Sequence, residues 1–189
     1  MPTYTVKSVK TFKGREGEGF NANLLRDGKK VAEIINDASG GCLDFHWLDF
    51  AATRVDVNWT GYHNDPVVLH CTPQEAALYE FLRGKTWTLD LAGHDADNSP
   101  VQHDPESYAS ELVGKFLDDK RFRRMCKTQT LFRLMGDEVG AWRVIKAQYT
   151  LVLKERMQAR YPTIVEVLNE TYATADAVNE LVDSLVPNS

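Results

Sequence analysis

Between Tyr4 and Trp59, apolar residues recur at every second position in one short run after another, with turn-forming residues between the runs. A side-chain period of two belongs to a strand with one buried face, so a helical bundle is excluded for this part of the chain. Tyr4 to Val9 alternates apolar and polar residues, and Gly14, Gly17 and Gly19 supply a connection. Phe20, Ala22 and Leu24 then alternate with Asn21 and Asn23. Asp27-Gly28 separates this run from Val31-Ala32-Glu33-Ile34-Ile35. Asp-Gly tolerates the positive φ angles of a type I′ turn, which predicts a tight hairpin. After Ser39-Gly40-Gly41, Leu43, Phe45 and Trp47 share one face, with Asp44 and His46 on the other. Val55, Val57 and Trp59 repeat the pattern opposite Asp56 and Asn58. The pattern reads as an antiparallel β-meander.

Helical punctuation begins at Thr72. Thr72-Pro73-Gln74-Glu75 is a capping box with proline at the first helical position, and Leu78, Phe81 and Leu82 form a stripe ahead of Gly84. Ala92 to Asp104 is polar and turn-rich and reads as a loop or linker. Asp104-Pro105-Glu106 opens a second helix with Tyr108, Leu112, Val113 and Phe116 on one face. Thr130 to Leu134 and Ala141 to Lys146 form a second hairpin across Gly136 to Gly140. A helix runs from Thr150 through Met157. Ile164, Val165 and Leu168, then Val178, Leu181, Val182 and Leu185, read as a closing helical pair. The expected fold is α+β. Residues 1–91 form the meander with its capping helix, and residues 105–189 form a helical half containing the hairpin, the two packed as one domain.

A chain of 189 residues with 43% hydrophobic content can bury a core without disulfides or a structural metal. Cys42, Cys71 and Cys126 lie far apart with no CxxC pair, which fits a reducing compartment. The first residues lack the apolar run of a signal peptide, and no stretch approaches the roughly 18 apolar residues of a membrane helix. A cytoplasmic location without membrane contact is expected. The net charge of −5 has the wrong sign for a protein that binds nucleic acid over its whole surface. That charge is segregated. Lys115 to Arg160 holds 12 Lys/Arg against 5 Asp/Glu, whereas Tyr161 to Ser189 holds 5 acids and no Lys or Arg.

Most candidate chemistry fails on spacing. Gly84-Lys85-Thr86 resembles the end of a phosphate-binding loop, but Tyr79 stands where that loop needs glycine, and the preceding segment is helical. Gly14-Arg15-Glu16-Gly17-Glu18-Gly19 carries two acids that would repel a phosphate. Of the histidine groupings, His63 with Asp65, His94 with Asp95 and Asp97, and His103 with Asp104, none has the spacing of a common zinc site. No metal or other cofactor is expected. One constellation stays open. If their strands are antiparallel neighbours, Asp44, His46, Asp56 and Asn58 converge, and a carboxylate beside an imidazole is the minimal acid/base pair of a small hydrolase or nuclease. The other reading is the solvated outer face of a meander.

The sharpest local feature is basic: Lys120, Arg121, Arg123, Arg124 and Lys127 at the end of the second helix. Arg133, Arg143 and Lys146 on the following hairpin extend it, with Phe132 and Trp142 interleaved. Three readings remain: a solvated face or internal partner for the acidic C-terminal segment, an interface for an acidic protein, and a nucleic-acid surface.

Gly17-Glu18-Gly19-Phe20-Asn21, Leu25 to Ala32, the Gly40-Gly41 turn, Thr130 to Leu134, Gly136-Asp137 and Trp142-Arg143 together resemble a group of small uncharacterised proteins encoded by bacteriophages and other mobile elements. The similar stretches cover about a third of the chain and contain no catalytic motif. The resemblance implies a bacterial host and a role as a non-enzymatic inhibitor of a host defence complex, anti-CRISPR proteins being one such class. The partner implied is a host protein complex, with a nucleic-acid-binding accessory protein as the alternative.

Overall fold

The computed structural model describes residues 1–61, 65–87 and 101–185, with backbone alone for residues 87 and 177–185. The calls on His63, His94, Asp95 and Asp97, and on the side chains of Val178, Leu181, Val182 and Leu185, lie outside what is described. The fold is α+β. It divides into two compact units, Met1–Leu117 and Asp118–Ser189, with the division inside the second helix. No described helix is long and apolar enough to cross a membrane.

In the first unit β1 (Tyr4–Lys13), β2 (Glu18–Arg26), β3 (Lys29–Asn36) and β4 (Asp44–Trp47) form one antiparallel sheet in chain order. Both turn residues between β2 and β3 have positive φ, Asp27 at 50° and Gly28 at 78°, as the Asp-Gly pair predicts. The Asp27 carboxylate also accepts from the Thr3 amide at 2.8 Å, tying the start of the chain to this turn.

The register sorts the side chains by face. Val6, Leu24, Ala32 and Trp47 are successive cross-strand partners and all are buried. One position on, Lys7, Asn23, Glu33 and His46 make the corresponding row on the open face. Gly19 sits where a Cβ would fall 2.5 Å from the Asn36 carbonyl and 2.6 Å from the Phe12 ring, so no side chain fits there.

A second hairpin, β5 (Val55–Thr60) and β6 (Pro66–Cys71), leads into α1 (Pro73–Leu82). The capping box forms. Thr72 Oγ1 accepts from the Glu75 amide at 3.2 Å, and the Glu75 carboxylate accepts from the Thr72 amide at 3.2 Å. A short pair, β7 (Thr86–Trp87) with β8 (Val101–Gln102), precedes α2 (Pro105–Cys126). Val101 and Gln102, within the stretch expected to be loop, are therefore strand. Leu78 and Leu82 of α1, and Ala109 and Val113 of α2, close over the buried sheet face. Complete burial of a leucine such as Leu24 or Leu82 contributes about 1.5–3 kcal/mol.

The second unit holds the end of α2, then β9 (Thr130–Leu134), β10 (Arg143–Ile145), α3 (Leu151–Arg160), β11 (Ile164–Val167) and α4 (Leu168–Leu185). The sheet order is β10-β9-β11, antiparallel throughout. The expectation of helix at Ile164 and Val165 is corrected: both lie in strand β11, where Ile164 pairs with Leu134 of β9 and Val165 falls at an irregularity in the ladder. The segment Ile-Val-Glu-Val is rich in β-branched residues, and the open side of β9 supplies the hydrogen bonds that decide between two nearly equal local preferences. Helix begins only at Leu168.

Candidate binding surface

The cations at the end of α2 do not all face the same future. Arg123 is held in place from three sides. Its Nε reaches Asp119 at 2.9 Å, its Nη1 reaches Asp176 at 2.6 Å, and its guanidinium lies 4.4 Å from the Tyr172 ring centre. Arg121 pairs with Asp118 at 3.2 Å. On the sheet, Arg133 pairs with its cross-strand neighbour Glu166 at 3.2 Å. Arg143 grips Asp137 through two bonds of 2.8 and 2.7 Å. The Arg143 guanidinium and the Leu134 amide together hold the Asp137 carboxyl down at about 2.

Lys120, Arg124, Lys127 and Lys146 differ. All four are exposed, and none makes an ion pair among the described residues. Of the two aromatics named with these cations, Phe132 is not at the surface but buried under the sheet against Tyr161. Phe122 instead meets Trp142 edge-on at 6.2 Å, with the Arg121 guanidinium 4.6 Å from the Phe122 ring centre. This contact joins the helix end to the β9–β10 connection. Ile145 pairs with Thr130, so Lys146 flanks the same end of the sheet as the Lys127-to-Gln129 turn. The chain's own acids, Asp176 and Glu166 among them, pair with half of the predicted cluster; the other half is solvent-exposed, and Lys120, Arg124 and Lys127 share one face at the end of α2.

The constellation of Asp44, His46 and Asp56 does not assemble. β4 pairs with β3, which sets His46 beside Glu33, and β5 pairs with β6 in a separate sheet. Asp56 finds a different imidazole, its cross-strand partner His70, at 2.6 Å. Both side chains are about two-thirds or more exposed (66% and 73%), and no hydroxyl or thiol hydrogen-bonds to the pair among the described residues. It is a solvent-exposed hydrogen-bonded pair on the surface of the β5–β6 hairpin.

A line of Ser107, His103 and Glu111 was not visible in the sequence. His103 Nδ1 lies 3.2 Å from Ser107 Oγ, and Nε2 lies 3.1 Å from Glu111. The Ser107 hydroxyl is already engaged, accepting from the Asp104 amide and donating to the Asp104 carbonyl, both at 3.1 Å. The Asp104 carboxylate accepts from the Ser107 amide at 2.7 Å. These bonds form a helix cap at the start of α2 beside the buried His103. Burial pushes the Cys71 thiol up to about 11 and raises that of Cys126, so neither is a ready thiolate. Among the described residues no group of three or more His, Cys, Asp or Glu side chains is placed to hold a metal ion.

A cavity of about 330 Å³ in the second unit is walled by Met157, Tyr161 and Ile164, with Tyr149, Lys154 and Glu170 at its polar side. Glu170 accepts from Lys154 Nζ at 2.6 Å and from the Tyr149 hydroxyl. The three polar groups satisfy one another, and Lys154 holds the Glu170 carboxyl below its ordinary value. Comparison with known proteins finds no matching family model, no matching curated protein and no matching solved structure.

Proposed function

We propose that this chain is a binding protein that acts by contact rather than by chemistry, and that the end of α2 with the β9–β10 hairpin engages an acidic surface on a protein partner. The observation that carries the reading is the set of four exposed cations, Lys120, Arg124, Lys127 and Lys146, which make no ion pair among the described residues, the first three of them sharing one face at the end of α2. Arginine and tryptophan are favoured anchors of protein interfaces, and a rim of lysines steers association with an acidic partner. The resemblance to proteins of phages and mobile elements supports a host defence complex as that partner, with inhibition of the anti-CRISPR kind as the outcome.

The internal pairs refine the choice of variants. Charge reversal at Arg123 would break bonds to Asp119 and Asp176 and confound folding with binding. Reversal of Lys120, Arg124 and Lys127 to glutamate touches no ion pair among the described residues. The triple variant is expected to fold normally by circular dichroism and to bind more than about tenfold more weakly. The assay is a pull-down from a bacterial host with and without nuclease treatment, identified by mass spectrometry, followed by titration of the purified partner. Undiminished affinity in the triple variant would sink the assignment. A row of exposed cations also suits nucleic acid. A complex that disappears after nuclease treatment, with affinity falling steeply as salt rises, would establish that second reading instead.

A further inference from the structure

Strand β4 is an edge among the described residues: it ends the order β1-β2-β3-β4. The Leu48 amide donates to the Val31 carbonyl at 3.0 Å. In an antiparallel ladder this fixes the alternation, so that Asp44 and His46 turn their backbone groups toward β3. The backbone groups of Leu43, Phe45 and Trp47 therefore point outward. The Leu43 amide is taken by Glu106 Oε2 at 3.3 Å. Phe45 and Trp47 also line two adjoining hollows.

One hollow, of about 330 Å³, runs along the edge itself and touches four consecutive residues, Asp44 to Trp47, with Phe50 and Arg54 opposite. The other, of about 420 Å³, opens beneath the inward side chains Phe45 and Trp47 and reaches Tyr79, Glu75, Asp104 and Glu106. The two share Phe45, Trp47 and Arg54. The Phe45 and Trp47 rings stack at 5.6 Å and 12° in the wall that the two hollows share. Three carboxylates, Glu75, Asp104 and Glu106, line the hollow beneath Phe45 and Trp47 together with the guanidinium of Arg54, which leans toward Glu75 at 3.7 Å.

We propose that this groove accepts an extended peptide segment of a partner protein, which adds to the sheet beside β4 and carries a lysine or arginine on the side chain that turns toward the helices. An added strand sends alternate side chains to the same two faces as β4 does. A basic residue opposite Phe45 or Trp47 lays its aliphatic stem along the stacked rings and brings its charge to the carboxylates beneath. Backbone pairing supplies affinity, and the acidic lining selects the sign of the side chain. This site lies in the first unit and does not depend on the basic surface of the second.

The probe is a fluorescent, capped heptapeptide of sequence Thr-Val-Thr-Lys-Thr-Val-Thr, titrated against the full chain, with amide shifts followed by NMR. Saturable binding is expected, with shift changes centred on Phe45 and Trp47. Replacement of its lysine by glutamate, or methylation of the peptide nitrogens on one edge, should each weaken binding at least about tenfold. Glu106→Gln keeps an acceptor for the Leu43 amide while removing a charge, so this variant should fold normally and lose several-fold affinity for the lysine peptide alone. Absence of shift changes at Phe45 and Trp47 at millimolar peptide, or binding indifferent to both peptide changes, overturns the proposal. The Lys120, Arg124 and Lys127 reversal should leave peptide binding unchanged, which separates failure here from failure of the proposed function.

Discussion

Asn169 shows how much one side chain can hold. It is buried at 8% exposure, and its carboxamide is fully used: Oδ1 accepts from the Leu131 amide at 2.9 Å, and Nδ2 donates to the carbonyls of Cys126 and Gln129. The last turn of α2, the start of β9 and the first turn of α4 are thereby joined at one point. Asn169→Leu fills similar space but orphans three backbone groups, so a loss of about 1–3 kcal/mol or more is expected, read from the midpoint of urea unfolding. No periodicity marks such a residue, because its partners lie about 40 positions away in the chain. Cys71 is buried at 2% exposure with its thiol pushed up to about 11, whereas Cys42 is exposed. Iodoacetamide at neutral pH should therefore label Cys42 first, with Cys71 modified only on unfolding, as peptide mass spectrometry will report.

At the scale of elements, local chemistry decides where it is strong. The Asp27-Gly28 turn, the Thr72–Glu75 capping box and the proline at the start of α2 each act within four residues, and all three form as the sequence indicates. Thr72→Ala removes the acceptor for the Glu75 amide beneath a buried cap and should cost about 1 kcal/mol, measured by thermal unfolding. Gly28→Val forces a β-branched residue to φ 78° and should destabilise the β2–β3 hairpin more than that. Where local preferences are balanced, the sequence is silent. β11 is strand because β9 offers it hydrogen bonds, a fact of the fold rather than of four residues. The candidate site divides the same way. Its cations could be named from the sequence, but their partition into paired and free depends on Asp176 and Glu166, which are distant in the chain.

For the molecule as a whole, the titratable groups define a range of pH rather than one sensitive switch. Asp137 is held at about 2 by Arg143, and Glu33, Asp37, Glu80 and Glu170 are each held below their ordinary values by a hydrogen-bond partner. A carboxyl whose folded value is depressed adds stability above its unfolded value, 3.8 for Asp and 4.5 for Glu, and this is lost as pH falls through the folded value. Stability should therefore decline between about pH 4.5 and 2. On the alkaline side burial raises Cys71 from 9.0 to about 11 and Tyr79 and Tyr172 from 10.0 to about 12. Groups with raised values stabilise below the unfolded value and lose that contribution as pH rises through the folded one. A plateau between about pH 5 and 9 is expected in urea midpoints measured across pH, and a maximum confined to either extreme would contradict it.

The order of strands also sets a timetable for synthesis. Each strand of the first sheet pairs with the one made just before it, so all of its hairpins exist once residue 47 has left the ribosome. The central strand of the second sheet emerges by Leu134 but waits for β11 to flank it and for Asn169 to bond its start. During that interval β9 offers one side unpaired, with Leu131 and Phe132 lacking their final cover. Nascent chains stalled shortly before residue 164 should be the ones that chaperones hold and proteases cut within residues 130–145, while the N-terminal sheet already resists.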